Sequence, residues 1–200
     1  MSDMANPIKN DITAVVLAGG ASSRMGEPKA LLRWQGERFI DHIVRQLREQ
    51  ADKVAISSNH AAMFETLQMP ILADPFAESH GPLAGMLSGL RFSTTALTLF
   101  VPCDTPLIAP DLARRLHAAL LGRDADIAYA VSGGNSHYLF ALMRTTLHAS
   151  LAEQLARGDR AVYRWFTTQR HIPVAFDAHD RYFININTPE ALSQLHQSGY

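Results

Sequence analysis

The residues best equipped for chemistry follow the first strongly apolar run of the chain, in Leu17-Ala18-Gly19-Gly20-Ala21-Ser22-Ser23-Arg24-Met25-Gly26-Glu27-Pro28-Lys29. Glycines let backbone N–H groups approach anionic oxygens with no side chain in the way. Arg24 offers a planar fork of donors and Lys29 a compact point charge, and both suit a polyphosphate. The string is not a Walker A loop, because no Gly-Lys-Ser/Thr stands at the required spacing. Nor is it the G-x-G-x-x-G dinucleotide fingerprint. Gly-Gly alone reads as an ordinary turn with solvated cations nearby; the whole string reads as a cradle for phosphates.

A carboxylate stands at the end of the most apolar run, in Pro102-Cys103-Asp104-Thr105-Pro106. Mg2+ prefers oxygen ligands and keeps several waters beside one or two carboxylates and substrate phosphates, so Asp104 is the candidate metal ligand. It could instead cap or turn the chain ahead of Pro106 and Pro110. Cys103 invites a reading as nucleophile, but a phosphoryl transfer needs no covalent intermediate, and packing at the strand end is its expected role. Asn185 and Asn187 lie two apart in a strand-like run and would share one face. Two amides there could hold a second substrate or a metal-bound water. Thr188-Pro189-Glu190 reads separately as a helix start. Asn59 and Asp74 follow two other apolar runs; a helix cap for the first and an Asp-Pro turn for the second compete with any ligand role.

These groups need a scaffold that gathers them. Ile12 to Ala18 is short, apolar and β-branched and predicts a buried strand that feeds the glycine-rich turn. Further strands are predicted at 54–57, 70–73, 97–101, 126–131, 137–143, 171–176 and 182–186. Helices are predicted at 39–50, 60–67, 83–92, 110–121, 145–157, 159–167 and 188–197. Strands and helices alternate through the first 120 residues, and the strands are apolar on both faces. The expected fold is α/β, three-layered, with a mostly parallel sheet covered by helices on both faces. Ligands in such sheets sit beyond the carboxyl ends of the strands, so the loops after Ala18, Ser57, Ala73 and Val101 should converge. The second half is expected to add strands and a substrate-facing surface within one domain, 1–200, preceded by a loose arm over 1–10.

Bulk properties narrow the partners. With 47% apolar and 18% charged residues, the 200-residue chain can bury a real core. Its 18 basic and 19 acidic residues leave a formal net charge of −1, which gives no general attraction for nucleic acid or an anionic membrane. No run approaches the roughly 18 apolar residues of a membrane span. One cysteine and a polar N-terminal stretch fit a reducing, cytoplasmic setting. The histidines are scattered without zinc-like spacing.

The thirteen-residue string resembles the signature of nucleotidyltransferases with a dinucleotide-binding-like fold. Gly81-Pro82-Leu83-Ala84-Gly85, Pro102-Cys103-Asp104-Thr105-Pro106 and Phe183-Ile184-Asn185-Ile186-Asn187-Thr188-Pro189-Glu190 narrow the resemblance to the molybdenum cofactor guanylyltransferases. It runs from about Ile12 to Leu195. Leu-Ala-Gly-Gly at 17–20, where cytidylyl relatives tend to carry Leu-Ala-Ala-Gly, favours the guanylyl branch. The resemblance implies transfer of GMP from GTP to molybdopterin with Mg2+ on Asp104. It implies GTP contacts from Leu17, Ala18, Gly19, Lys29, Asn59, Asp74 and Asp104, with Arg24 and Lys29 catalytic alongside Asp104. Gly81, Gly85, Asn185 and Asn187 fall on the substrate side, and molybdoenzyme maturation proteins are implied as partners. Guanine presents O6 as an acceptor and N1–H and N2–H2 as donors, which a carboxylate or backbone groups could read. The chain departs from many relatives at Tyr138, where a proline is expected after His137; a tyrosine there could stack on a pterin or pack in the core. Transfer of CMP to molybdopterin, transfer of a nucleotide to a sugar phosphate, and a non-catalytic nucleotide-binding module are the alternatives. An NAD-linked oxidoreductase is disfavoured by the missing fingerprint.

Overall fold

A computed structural model describes residues 8–19, 28–76 and 81–197. The first half runs β1 (Ile12–Leu17), β2 (Arg33–Trp34), β3 (Glu37–Arg38), α1 (Phe39–Arg48), β4 (Lys53–Ser57), β5 (Ile71–Leu72), α2 (Pro82–Phe92) and β6 (Leu97–Pro102). The second half adds α3 (Leu112–Gly122), β7 (Ile127–Ser132), β8 (Asn135–Arg144), α4 (His148–Ala156), α5 (Val162–Thr167), β9 (His171–Ala175) and α6 (Pro189–Gln197). Seven strands form one sheet in the order β5-β4-β1-β6-β8-β7-β9. β5, β4, β1 and β6 are mutually parallel, β8 runs against both β6 and β7, and β9 is parallel to β7. The mostly parallel, helix-covered sheet expected from the sequence is the one observed.

Alternation along the strands sorts the core into two faces. From β1, Ile12, Ala14 and Val16 meet Ile40, Ile43, Val44 and Leu47 of α1, while Leu112, Ala113 and Leu116 of α3 cover the same face. Val15 points to the opposite face, against Leu83, Met86 and Leu87 of α2; Leu151 of α4 and Trp165 and Phe166 of α5 complete that layer. Fully burying each such side chain contributes roughly 1.5–3 kcal/mol. α2 lies close to the sheet because it carries glycines on its inner side. A Cβ at Gly85 would fall 2.5 Å from Ser57 Oγ, and one at Gly89 would fall 2.7 Å from Phe100 Cε1.

Four local expectations are corrected. The segment predicted as a helix over 60–67 is a 3-10 turn, Ala61–Leu67, with Phe64 as its only fully buried anchor. The helix expected from Pro110 begins at Leu112, leaving Pro110 in the approach. The β2–β3 hairpin was not foreseen; Gln35 and Gly36, at φ 51° and 85°, make its turn. No strand occupies 182–186. Residues Asp177–Phe183 form a 3-10 turn, and the next residues run without regular structure. Phe183 joins the core beside Phe140 and Phe176, whereas Ile186 enters a separate cluster with Leu32, Trp34, Phe39 and Leu195. Two pockets, not one sheet face, satisfy that apolar spacing. Among the described residues no helix is long and apolar enough to cross a membrane.

Candidate functional site

The carboxyl ends of β1, β4, β5 and β6 are held in line beyond the last assigned residues. Ala18 N–H donates to Ser57 O at 2.9 Å, Cys103 N–H to Leu17 O at 3.2 Å, and Ser58 N–H to Leu72 O at 2.9 Å. This ladder sets Leu17-Ala18-Gly19, Asn59, Asp74 and Asp104 along one edge, where open α/β sheets bind ligands. Gly20 to Glu27, with Arg24, lie outside the described residues.

Lys29 reaches back to that edge. It opens a 3-10 turn whose next residue, Ala30, is buried in the core, and Leu32 is buried in the hairpin cluster. The backbone is thereby anchored, and the ammonium extends to Asp104 Oδ2 at 3.2 Å and to Asn187 Oδ1. Asp104 is mostly shielded, with 17% of its side chain exposed. Its other oxygen, Oδ1, is buried and finds no hydrogen-bond partner among the described residues. Buried polar atoms are nearly always paired, so a carboxylate oxygen left bare at a ligand edge marks a place for a cation or donor. Burial, with a smaller contribution from Asp104, pushes the Cys103 thiol up to about 12. Thiolate chemistry is thus remote from this site, and the sulfur packs against the core as expected.

Asn185 and Asn187 arrive here without a strand. Ile186 N–H donates to Asp104 O at 2.8 Å while the Ile186 side chain is buried. The flanking amides therefore face the Asp104 loop: Thr105 Oγ1 donates to Asn185 Oδ1 at 3.0 Å, and Asn187 accepts from Lys29. Thr188 Oγ1 accepts from Ala191 N–H at 3.2 Å at the start of α6, the cap that the sequence predicts. Asn59 and Asp74 meet each other: Asp74 N–H donates to Asn59 Oδ1 at 2.8 Å, and Asn59 Nδ2 donates to Asp74 Oδ2 at 3.2 Å. Asn59 does not cap the following turn, which begins after His60 with no side-chain cap. Gly81 turns the chain into α2 at φ +68°, a backbone conformation that favours glycine. Gly85 is buried one turn later against Ser57 and Leu17, so close packing accounts for it.

Two supports escaped the sequence reading. Gln46 Nε2 donates to Pro106 O at 2.8 Å and Gln46 Oε1 accepts from Ile108 N–H at 2.8 Å. Gln50, itself buried, donates to Ala109 O at 2.9 Å and accepts from Ala113 N–H at 3.0 Å. These two amides pin the loop that follows Asp104. Their signal was present: they continue the inward stripe of α1 at helical spacing, where apolar residues are the rule.

A second concavity adjoins Asp104 on the far side of β6. β8 pairs with β6 only as far as Phe100↔Ala141. On its other edge the register jumps from Tyr129↔Ala141 to Ala130↔His137, so Tyr138, Leu139 and Phe140 loop out as a bulge. A cavity of about 350 Å³ results, lined by residues that include Pro82, Pro102, Asp104, His137, Tyr138 and Asn185. The Tyr138 ring packs on Tyr129 at 4.9 Å and against the edge of Phe166 at 5.5 Å, which is the core role allowed for it. His137 stacks on Phe183 at 4.8 Å, and burial holds its imidazole below the usual range against the opposing pull of the Ser132 backbone and Asp180.

Known proteins match both the sequence and the architecture. A curated molybdenum cofactor guanylyltransferase from Burkholderia ambifaria is 40% identical over 195 residues, covering 92% of this chain and 95% of its own. Another from Burkholderia cenocepacia is 38% identical over 203 residues, covering 96% and 98%. The crystal structure of molybdopterin-guanine dinucleotide biosynthesis protein A from Archaeoglobus fulgidus superposes with a TM-score of 0.79 over 92% of this chain and 97% of that one; at 18% identity it speaks for the fold. The family model described as the MobA-like NTP transferase domain matches residues 14–174, and with that span and such relatives the chain belongs to the MobA-like NTP transferase family.

Proposed function

We propose that this chain transfers GMP from GTP to molybdopterin, forming the guanine dinucleotide of the molybdenum cofactor and releasing pyrophosphate. The observation that carries the reading is Asp104, at the end of β6, with Oδ2 on Lys29 and a buried Oδ1 that has no hydrogen-bond partner among the described residues. The curated relatives bearing the guanylyltransferase name supply the choice of nucleotide and acceptor.

In the transfer an oxygen of the terminal phosphate of molybdopterin forms a bond to the α-phosphorus of GTP. The bond from that phosphorus to the bridging oxygen of pyrophosphate breaks, and the electron pair leaves with pyrophosphate. The attacking phosphate is already anionic near neutral pH, so no general base is required. Backbone N–H groups around Gly19, with Lys29 and Arg24, hold the triphosphate and offset the charge growing on the leaving group. Asn187 orients the Lys29 ammonium, and Thr105 with Asn185 keeps the Asp104 loop in place. Asp104 Oδ1 fits Mg2+, which when bound neutralises phosphate charge and polarises the reacting phosphorus. Asn59 and Asp74, set together at the β4–β5 end, are the pair assigned to the nucleoside. Molybdoenzyme maturation proteins, in the cytoplasm, are the partners that would receive the product.

Calorimetry with Mg2+ and each of GTP, CTP, ATP and UTP tests the reading, with Asp104→Ala beside the wild type. GTP should bind in preference, and both chelation of Mg2+ and the substitution should weaken it. Preference for CTP or UTP would keep the phosphate site and overturn the guanylyl assignment. Equal binding and turnover by Asp104→Ala would remove the metal role.

A further inference from the structure

We propose that a cavity at the opposite edge of the sheet from Asp104 binds a small phosphate-bearing anion, held by Arg91 and His148. The inference does not depend on the transferase reading and concerns a part of the chain that the transfer leaves unused.

Position separates the two sites. The cavity, of about 470 Å³, lies where α2 ends, β6 begins and β8 passes into α4. Pro82, the first residue of α2, lines the concavity beside Asp104, whereas Arg91 in its last turn lines this one. The 11 residues of the helix thus keep the two edges about 16 Å apart. A triphosphate held at Gly19 and Lys29 does not account for the second cavity.

The lining carries positive charge that is not cancelled. Arg91, Arg144 and His148 line the cavity, and no acidic residue does. Arg144 is committed behind it, at 3.5 Å from Asp126 and 3.6 Å from Asp124. Arg91 and His148 are exposed and make no hydrogen bond or ion pair among the described residues. A guanidinium presents a fork that matches two phosphate oxygens at once, and an imidazole adds an N–H donor.

The floor is polar and fixed. Thr13 and Thr98, both fully buried, end a chain of hydroxyls. Thr13 bonds Thr95 at 2.8 Å, Thr95 bonds Ser93 at 3.0 Å, Thr145 donates to Ser93 at 3.4 Å, and Thr98 bonds Thr145 at 2.9 Å. Such a network holds its segments in place. Two hydroxyls of the lining remain for a ligand. Thr94 accepts from Lys53 Nζ at 2.9 Å and keeps its own hydrogen to donate, and Thr146 has no partner among the described residues. These donors come from separate segments of the chain, which suits the tetrahedral oxygens of phosphate better than the plane of a carboxylate. The volume falls within the roughly 300–1,000 Å³ of small-molecule pockets and exceeds one phosphate group. Leu90 and Ala96 give the remainder an apolar wall, where the organic part of a phosphate ester would rest.

The test is a magnetic-resonance titration of the isotope-labelled full chain, with GTP and Mg2+ present to fill the opposite edge, read at the amides of residues 93–96 and 146–148. Inorganic phosphate and ribose 5-phosphate are the probes, and sodium chloride at matched ionic strength is the control. Saturable shifts at those amides are expected from the phosphates and not from chloride. Tighter binding of ribose 5-phosphate would mark an ester as the occupant, and equal binding the free ion; either supports the site. Arg91→Gln should weaken the probe about tenfold, the scale of one charge-assisted hydrogen bond. Thr146→Glu sets a carboxylate among the cations at an exposed position and should abolish binding. GTP affinity should stay within about twofold in both variants, a margin of under half a kcal/mol. Shifts that rise without saturating, or that chloride reproduces, would overturn the proposal, as would wild-type affinity in both variants. Loss of the probe in Lys29→Ala would give the phosphate to the Asp104 edge and overturn it equally.

Discussion

Gly85→Ala separates packing from substrate contact at a position that the family resemblance puts on the substrate side. The added Cβ would meet Ser57 Oγ at 2.5 Å, Leu17 Cδ2 at 3.1 Å and Ser57 Cβ at 3.3 Å. The hydroxyl contact forces α2 to shift off the end of β4, whereas the other two are relieved by a few tenths of an ångström. Overpacking of this kind costs about 1–3 kcal/mol, and replacing a helical glycine by alanine returns about 1 kcal/mol. The net is a loss of about 1 kcal/mol, or a fall in Tm of about 2–4 °C for a chain of this size. Because Leu17 and Ser57 end β1 and β4, the same displacement should misplace Ala18-Gly19 and Asn59 and weaken GTP. Adding Ser57→Ala opens room, so the double variant should regain most of both losses, a positive coupling in a double-mutant cycle. Thermal unfolding and GTP calorimetry on the four proteins measure it. A Gly85→Ala protein with normal Tm and poor transfer, not rescued by Ser57→Ala, would refute the packing account and return Gly85 to the substrate.

Gln50→Leu should cost about 1–3 kcal/mol, since it strands the Ala113 N–H and leaves the Ala109 carbonyl with the Leu112 N–H alone; a urea midpoint unchanged from the wild type would show that the loop after Asp104 is held by other means. Lys29→Ala should lower the single-turnover rate at least about 100-fold, the usual effect of deleting a donor aimed at developing charge, and a rate near that of the wild type would move the phosphate site elsewhere. Burial lowers the His137 pKa below its ordinary 6.5, so the unfolded chain takes up this proton more readily than the folded one. The corresponding stability is full above about pH 6.5 and declines as the pH falls below it. His137→Phe should remove that part of the acid-side loss, and parallel stability–pH curves for the two proteins would contradict the burial argument.

Much of the scaffold was legible because the strands of a buried parallel sheet are apolar on both faces and short enough to stand out between helices. Asp104 was legible for the same reason: a lone carboxylate after Leu97–Val101 has no place in the core and must face the ligand edge. Segment 182–186 reads as a strand because its alternation imitates one. Phe183 and Ile186 are drawn instead into different clusters, and the Asp104 carbonyl takes the Ile186 N–H. The two asparagines still come to the Asp104 loop, on either side of a buried isoleucine, though no strand carries them there. Gly81 and Gly85 look alike in a motif, yet one turns the chain at positive φ and the other admits a neighbouring strand. The pairing of Asn59 with Asp74 and the bulge of β8 depend on register between distant segments, which composition and periodicity do not carry.

The reversal of strand direction beside β6 explains why the candidate site gathers at Asp104. β1 and β6 run parallel and deliver their loops to the same edge, so a nucleotide can span them. β8 enters from that edge in the opposite sense, and it brings a strand body where a parallel neighbour would bring another loop. A regular pairing would wall off the end of β6. The looped-out residues 138–140 break the wall next to the carboxylate and leave it between two different surfaces. In-line displacement needs the entering and leaving oxygens on opposite sides of phosphorus, and effective positioning of this kind can remove about 7–11 kcal/mol of a barrier. In the proposed transfer, Asp104 would stand between the phosphate-holding residues on one flank and the cavity beside residues 138–140 on the other, which meets that requirement with few specialised side chains.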